Sequence, residues 1–143
     1  MDDYISGLNL IDLVSLKHKK LRREVMELWM KNNGNEITDT EAHMLGMLEI
    51  KNMTMAESAR MMNISRQAVH KCAKKLIDEG YIKMTSIEGN KRDKLISLTE
   101  KGEEYCNEMI KLKERIEEHI SKNIGRKNVE MLKRYLREDW IES

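Results

Sequence analysis

The sequence predicts a mostly α-helical chain that carries one small β-hairpin. Three observations predict it. The 143 residues contain no Pro and only seven Gly, while the helix formers Lys, Glu, Leu and Met abound. Apolar residues recur at helical spacing towards both ends of the chain. Between Tyr81 and Leu98 the period switches to two, and Gly89-Asn90 interrupts it with a turn signal.

Residues 8 to 31 read as a long helix. Ile11, Val14, Leu21, Val25 and Leu28 alternate at spacings of three and four, with His18 filling the gap, and Leu10 and Leu13 widen the face. Asn32-Asn33-Gly34-Asn35 stops it with residues that tolerate left-handed backbone. Thr38 with Glu41 is a capping-box pattern for a second helix, whose buried face is Met44, Leu45 and Leu48 and which ends near Lys51-Asn52. Thr54 with Glu57 repeats the pattern for a short third helix ending at Asn63. Ser65 caps a fourth, from about 65 to 79, which Gly80 closes. Tyr81 to Ile87 and Lys94 to Leu98 are the strands. Thr99 caps a fifth helix, 100 to 123, with Tyr105, Met109, Leu112, Ile116 and Ile120 as its stripe. A sixth spans 127 to 141, with Val129, Leu132, Leu136 and Trp140 on one side. Twelve Met and no Phe point to a core filled by flexible aliphatic groups.

Several function classes drop out. No run approaches the ~18 apolar residues of a membrane helix, so no membrane partner is expected. Met1-Asp2-Asp3 lacks the basic opening of a signal peptide. Cys72 and Cys106 form no C-x-x-C pair and suit a reducing cytoplasm. No Gly-rich phosphate loop, nucleophile elbow or H-E-x-x-H occurs, so no enzyme and no cofactor is expected. Glu103-Glu104 and Glu117-Glu118 are neighbours that point apart on a helix. His18, His43 and His119 have no His at i, i+4 and no nearby Cys, so no metal site is expected.

The net charge of +1 is uninformative, but its distribution is not. From Ser65 to Lys94 eight basic residues face four acids, which makes that stretch +4 and the remainder −3. Thr54 to Gly80 reads as a helix-turn-helix with its turn at Asn63-Ile64. In its second helix Val69, Cys72, Ala73 and Leu76 share the inward face. The outward face shows Arg66, Gln67, Ala68, His70, Lys71 and Lys74 behind the cap Ser65. Arg pairs with guanine and Gln with adenine through two hydrogen bonds each, and Ala meets a thymine methyl or lets the helix come close. The hairpin adds Asn90, Lys91 and Arg92 at its tip and Lys83 and Lys94 on its arms, a basic wing suited to the backbone or to a narrow minor groove. The partner expected is double-stranded DNA. A winged helix that binds protein is the competing reading.

At these residues the chain resembles a family. Ile37-Thr38 opening a helix, Ala59 with Asn63-Ile64-Ser65, Leu76 before Gly80, and Asn90-Lys91-Arg92 followed by Leu98-Thr99-Glu100-Lys101-Gly102 are similar to the MarR family of bacterial regulators. The hairpin tip and the Leu-Thr-x-x-Gly run are the most specific part, and the resemblance covers nearly the whole chain. It implies a winged helix-turn-helix, a homodimer held by the first and last helices, a pseudo-palindromic operator and a small-molecule effector. The zinc-sensing members of the family place a ligand where His43 stands. Two positions depart from the pattern: Asn90 stands where Asp is usual and Ser58 where Leu is usual, so the short third helix is expected to pack differently. Ser65-Arg66-Gln67-Ala68-Val69 also resembles helix-turn-helices of biotin-ligase repressors and sigma factors. The expected division is a dimerisation helix over residues 1–36, the DNA-binding domain over 37–99 and dimerisation helices over 100–143. Stripes on the first, fifth and sixth helices too long for so small a core point to the same dimer.

Overall fold

A computed structural model describes residues 2–141, with the side chains of 2 and 90–93 outside the described set. Seven helices and three short strands follow in the order α1 (Asp2–Ser6), α2 (Leu10–Asn33), α3 (Asp39–Ile50), β1 (Met53–Thr54), α4 (Met55–Met62), α5 (Arg66–Asp78), β2 (Ile82–Ile87), β3 (Asn90–Leu98), α6 (Glu100–Ile124) and α7 (Arg126–Arg137). The mostly helical fold with a small antiparallel hairpin is the one expected.

Local chemistry sets most boundaries. Asn9 Oδ1 accepts from the Asp12 amide at 2.9 Å, so the long helix starts at Leu10 rather than at residue 8. Gly34, at φ 74°, ends it. Both capping boxes form: Thr38 and Glu41 at α3, Thr54 and Glu57 at α4. The hydrogen bond from the Thr54 amide, helped by Lys51, holds the Glu57 carboxyl below the usual carboxylate range despite some desolvation.

Three expectations need correction. Strand β1 adds to the expected hairpin: it pairs Met53 with Ile96 and Thr54 with Leu95 and makes the sheet three-stranded in the order β1-β3-β2. Two residues carry no detectable period. Strand β3 begins at Asn90, not Lys94, because the turn is Glu88-Gly89. The last helix stops at Arg137. Trp140 lies beyond it, and its indole donates at 2.7 Å to the Tyr135 carbonyl, which also accepts from the Glu138 amide at 3.2 Å.

The core sits where α2, α3, α5, α6 and the sheet meet. Ile37, Met44, Leu45, Val69, Leu76, Ile82 and Ile96 are fully buried. Trp29, which lies off the stripe next to Leu28, packs edge-on to Tyr105 with ring centroids 4.8 Å apart, and Tyr105 does the same to Tyr81 at 5.9 Å. This aromatic line joins α2, α6 and the foot of the sheet. The long stripes divide. Val25, Tyr105, Met109, Leu112 and Val129 are buried, whereas Leu10, Ile11, Val14 and Leu21 of α2 and Leu132 and Leu136 of α7 stay exposed. No helix among the described residues is long and apolar enough to cross a membrane.

Candidate nucleic-acid interface

Helix α4 ends on Asn63, whose backbone is left-handed at φ 54°, a conformation Asn tolerates through its short polar side chain. The amide of Ile64 returns to the Ala59 carbonyl at 3.2 Å, which makes the turn tight. Ser65 then caps α5, its Oγ accepting from the Ala68 amide at 3.1 Å. Ala59 and Ser58 are buried where α4 meets its neighbours. The Ser58 hydroxyl donates to the Thr54 carbonyl at 3.0 Å, so a small polar group in place of a Leu leaves nothing unpaired.

Helix α5 turns the expected faces inward and outward. Val69, Cys72, Ala73 and Leu76 are buried. Arg66, Gln67, His70, Lys71 and Lys74 are exposed, as is the cap Ser65, and Ala68 is half-buried. Lys83 and Lys94 are exposed on the two arms of the wing. The side chains of Asn90, Lys91 and Arg92 lie outside the described residues. Strand β3 nonetheless carries those positions on the far end of the hairpin, where Ile87 pairs with Asn90 after an irregularity at Ser86.

The foot of the wing is fastened to the end of α5. Gly80 takes φ 85°, and the Tyr81 amide reaches back to the Leu76 carbonyl at 2.9 Å. Thr99 Oγ1 donates to the Gly80 carbonyl at 2.5 Å and accepts from the Gly102 amide at 3.2 Å. The Thr99 amide donates to the Tyr81 carbonyl at 3.0 Å. Lys101 Nζ donates to the Glu79 carbonyl at 2.7 Å and lies 4.4 Å from the Tyr81 ring centre. Leu98-Thr99-Glu100-Lys101-Gly102 is thus a clip joining α5, the wing and α6. The sequence marked the run without revealing what it grips.

Lys75 differs from the other cations of α5. Its Nζ is 3.1 Å from both carboxylate oxygens of Glu41 on α3, a residue only 3% exposed. That hydrogen bond raises the Lys75 pKa against the opposing pull of desolvation. The positive stretch read from sequence therefore has one charge already spoken for. Both thiols are buried, and burial pushes each up to about 11, away from the activated range.

A cavity of about 660 Å³ opens between α2, α3 and α6. Its lining includes His18, Arg22, Asp39, His43, Tyr105 and Lys113. Arg22 Nε and Asp39 Oδ1 are paired at 3.0 Å on its rim. His18 and His43 share this cavity, but no group of three or more His, Cys, Asp or Glu among the described residues is placed to hold a metal ion.

Comparison with known proteins agrees with this architecture. The sequence profile of the MarR family matches residues 36–93. The HTH-type transcriptional regulator TcaR of Staphylococcus aureus, strains Newman and COL, is 28% identical over 106 residues, which is 73% of this chain and 70% of TcaR. Among solved structures, the reduced form of MarR from E. coli superposes with a TM-score of 0.79 at 19% identity, covering 91% of this chain and 95% of that one. A MepR mutant from S. aureus gives 0.74 at 17% identity, over 90% and 94%. A mutant E. coli MarR complexed with operator DNA gives 0.72 at 20%, over 90% and 91%.

Proposed function

We propose that the chain is a regulator of the MarR type: a cytoplasmic, sequence-specific DNA-binding protein that represses transcription as a homodimer on a pseudo-palindromic operator, a reading supported by the family profile over residues 36–93 and by the likeness to TcaR. TcaR is a transcriptional regulator, and on this reading the chain is no enzyme. The observation that carries the reading is the division of α5. Its small apolar side holds the helix to the body, while Arg66, Gln67, His70, Lys71 and Lys74 face outward from a capped N-terminus beside a basic hairpin. Arg66 and Gln67 read base edges, Ala68 allows close approach, and Ser65, Lys71, Lys74, Lys83 and Lys94 approach phosphates. Asn90, Lys91 and Arg92 bring the wing tip to the adjacent minor groove. The operator complex of the E. coli relative supports this docking.

Selection of bound fragments from genomic DNA tests the reading. Against the selected site, Arg66→Ala or Gln67→Ala should each cost about 1–3 kcal/mol and relax base preference at one position per half-site. Parent-like binding by both would remove α5 from the interface.

The dimer rests on residues 1–36 and 100–143. Leu10, Ile11 and Val14 of α2 and Leu132 and Leu136 of α7 form apolar faces that a single copy leaves in water. A two-fold pair would bury them and set two α5 helices about 34–36 Å apart, one helical turn of DNA. Sedimentation at micromolar concentration should give twice the chain mass, and a monomer would overturn the arrangement. Repression follows because a bound dimer blocks polymerase without any further contact surface. The α2–α3–α6 cavity falls in the size range of small-molecule sites and is where an effector would act. A ligand that prefers a dimer whose two α5 helices no longer match the operator would release the DNA, and tenfold weaker binding takes about 1.4 kcal/mol of differential affinity.

A further inference from the structure

The face that α5 buries consists of Val69, Cys72, Ala73 and Leu76. Packing of this kind resists lifting the helix from the body. It resists rolling about the helix axis much less, because dispersion and apolar burial have no preferred direction. Something directional has to set the roll. Side-chain tips lie about 5–6 Å from a helix axis, so a roll of about 10° carries them about 1 Å. That is enough to take a hydrogen bond to a base edge out of range.

Lys75 lies beside the buried face and meets the carboxylate of Glu41, its Nζ 3.1 Å from each oxygen. Glu41 cannot swing to follow it. Its Oε1 also accepts from the Thr38 amide at 2.8 Å, and its own amide donates to Thr38 Oγ1 at 3.2 Å. The capping box that starts α3 is therefore the seat in which the carboxylate is fixed. Among the described residues Glu41 Oε2 is buried with no hydrogen-bond partner of its own, and the ammonium 3.1 Å away compensates its charge. In the same first turn of α3, Asp39 pairs with Arg22 of α2 at 3.0 Å.

We propose that Glu41 is a positioning residue that sets the roll of α5 through Lys75, so that the outward side chains of α5 arrive in register with base edges. The proposal rests on the DNA-reading role assigned to α5 above. It concerns discrimination between sequences rather than attraction to DNA, since Glu41 is too buried to touch a duplex.

The test uses the full-length chain with Glu41→Gln, Lys75→Met and Lys75→Arg, each titrated at several salt concentrations against a selected operator fragment and an unrelated duplex. Gln keeps an acceptor for the Thr38 amide, so the capping box survives and only the charge is lost. Simple electrostatics predicts that Glu41→Gln binds every duplex more tightly, because a negative charge has gone. The positioning role predicts that operator affinity divided by non-specific affinity falls about tenfold in Glu41→Gln and in Lys75→Met, at the lower end of what a hydrogen bond to a charged group contributes. Lys75→Arg should hold the ratio near that of the parent. The salt slope of Glu41→Gln should not change.

An unchanged ratio in both charge-removing variants overturns the proposal. So does a Lys75→Met variant whose salt slope drops by about one while the ratio holds, because Lys75 would then be a phosphate contact. Should Glu41→Gln fail to fold, the Lys75 pair carries the same decision. A parent chain that does not distinguish the two duplexes would sink the DNA-reading role itself.

Discussion

Gly102→Ala should destabilise the chain by about 3 kcal/mol or more, towards the upper end of overpacking penalties. The change looks favourable in isolation, since Ala exceeds Gly in helix propensity by about 1 kcal/mol. A Cβ on Gly102 would overlap the Tyr81 carbonyl oxygen and come within 3.0 Å of Leu98 Cδ2. The flexible Leu98 end can yield. The carbonyl cannot, because it is backbone and already accepts from the Thr99 amide. Any relief would loosen the clip between α5, the wing and α6. Gly46→Ala is the matched control: it is also helical, and its added Cβ meets nothing within 4 Å. Urea unfolding followed by circular dichroism should place Gly46→Ala at or above the parent and Gly102→Ala far below it. Equal midpoints for Gly102→Ala and the parent would mean that the close approach of α6 to Tyr81 is wrong.

Operator binding should weaken by ~10³–10⁵ between 50 and 200 mM salt. Lys71, Lys74, Lys83 and Lys94 are exposed on the proposed interface, four from each copy of the proposed dimer. Six to ten phosphate contacts release enough condensed counterions for a loss of that size. Lys75 adds no phosphate contact because Glu41 neutralises it. The same titration separates the two readings of a winged helix. A protein-binding module of this size has no polyelectrolyte to discharge, and its affinity would change far less over that range. A nearly flat salt dependence would therefore move the function from nucleic acid to protein.

What the sequence disclosed depended on range. Caps are local, so Thr38, Thr54, Ser65 and Thr99 could be read three residues at a time, and all four hold their helices as expected. The two faces of α5 were legible for the same reason. Long-range partners were not. Lys75 and Glu41 are 34 residues apart, and nothing in either neighbourhood announces the other. Trp29 was masked by a stripe of better-spaced aliphatics. Strand β1 is defined by its partner β3 rather than by its own two residues. At Leu98-Thr99-Glu100-Lys101-Gly102 the pattern was visible, but its physical cause, a backbone carbonyl passing under a residue with no side chain, needed coordinates.

Because β1 pairs with β3 at Leu95 and Ile96, the hairpin is clamped at its root, and beyond that point β2 and β3 pair with each other towards Glu88-Gly89. It behaves as a cantilever. Lengthening or shortening the ribbon around Glu88-Gly89 changes how far it reaches without disturbing the bracket that carries it. A lineage could thus retune its span across the duplex by small insertions, while the machinery that folds the rest of the molecule stays untouched.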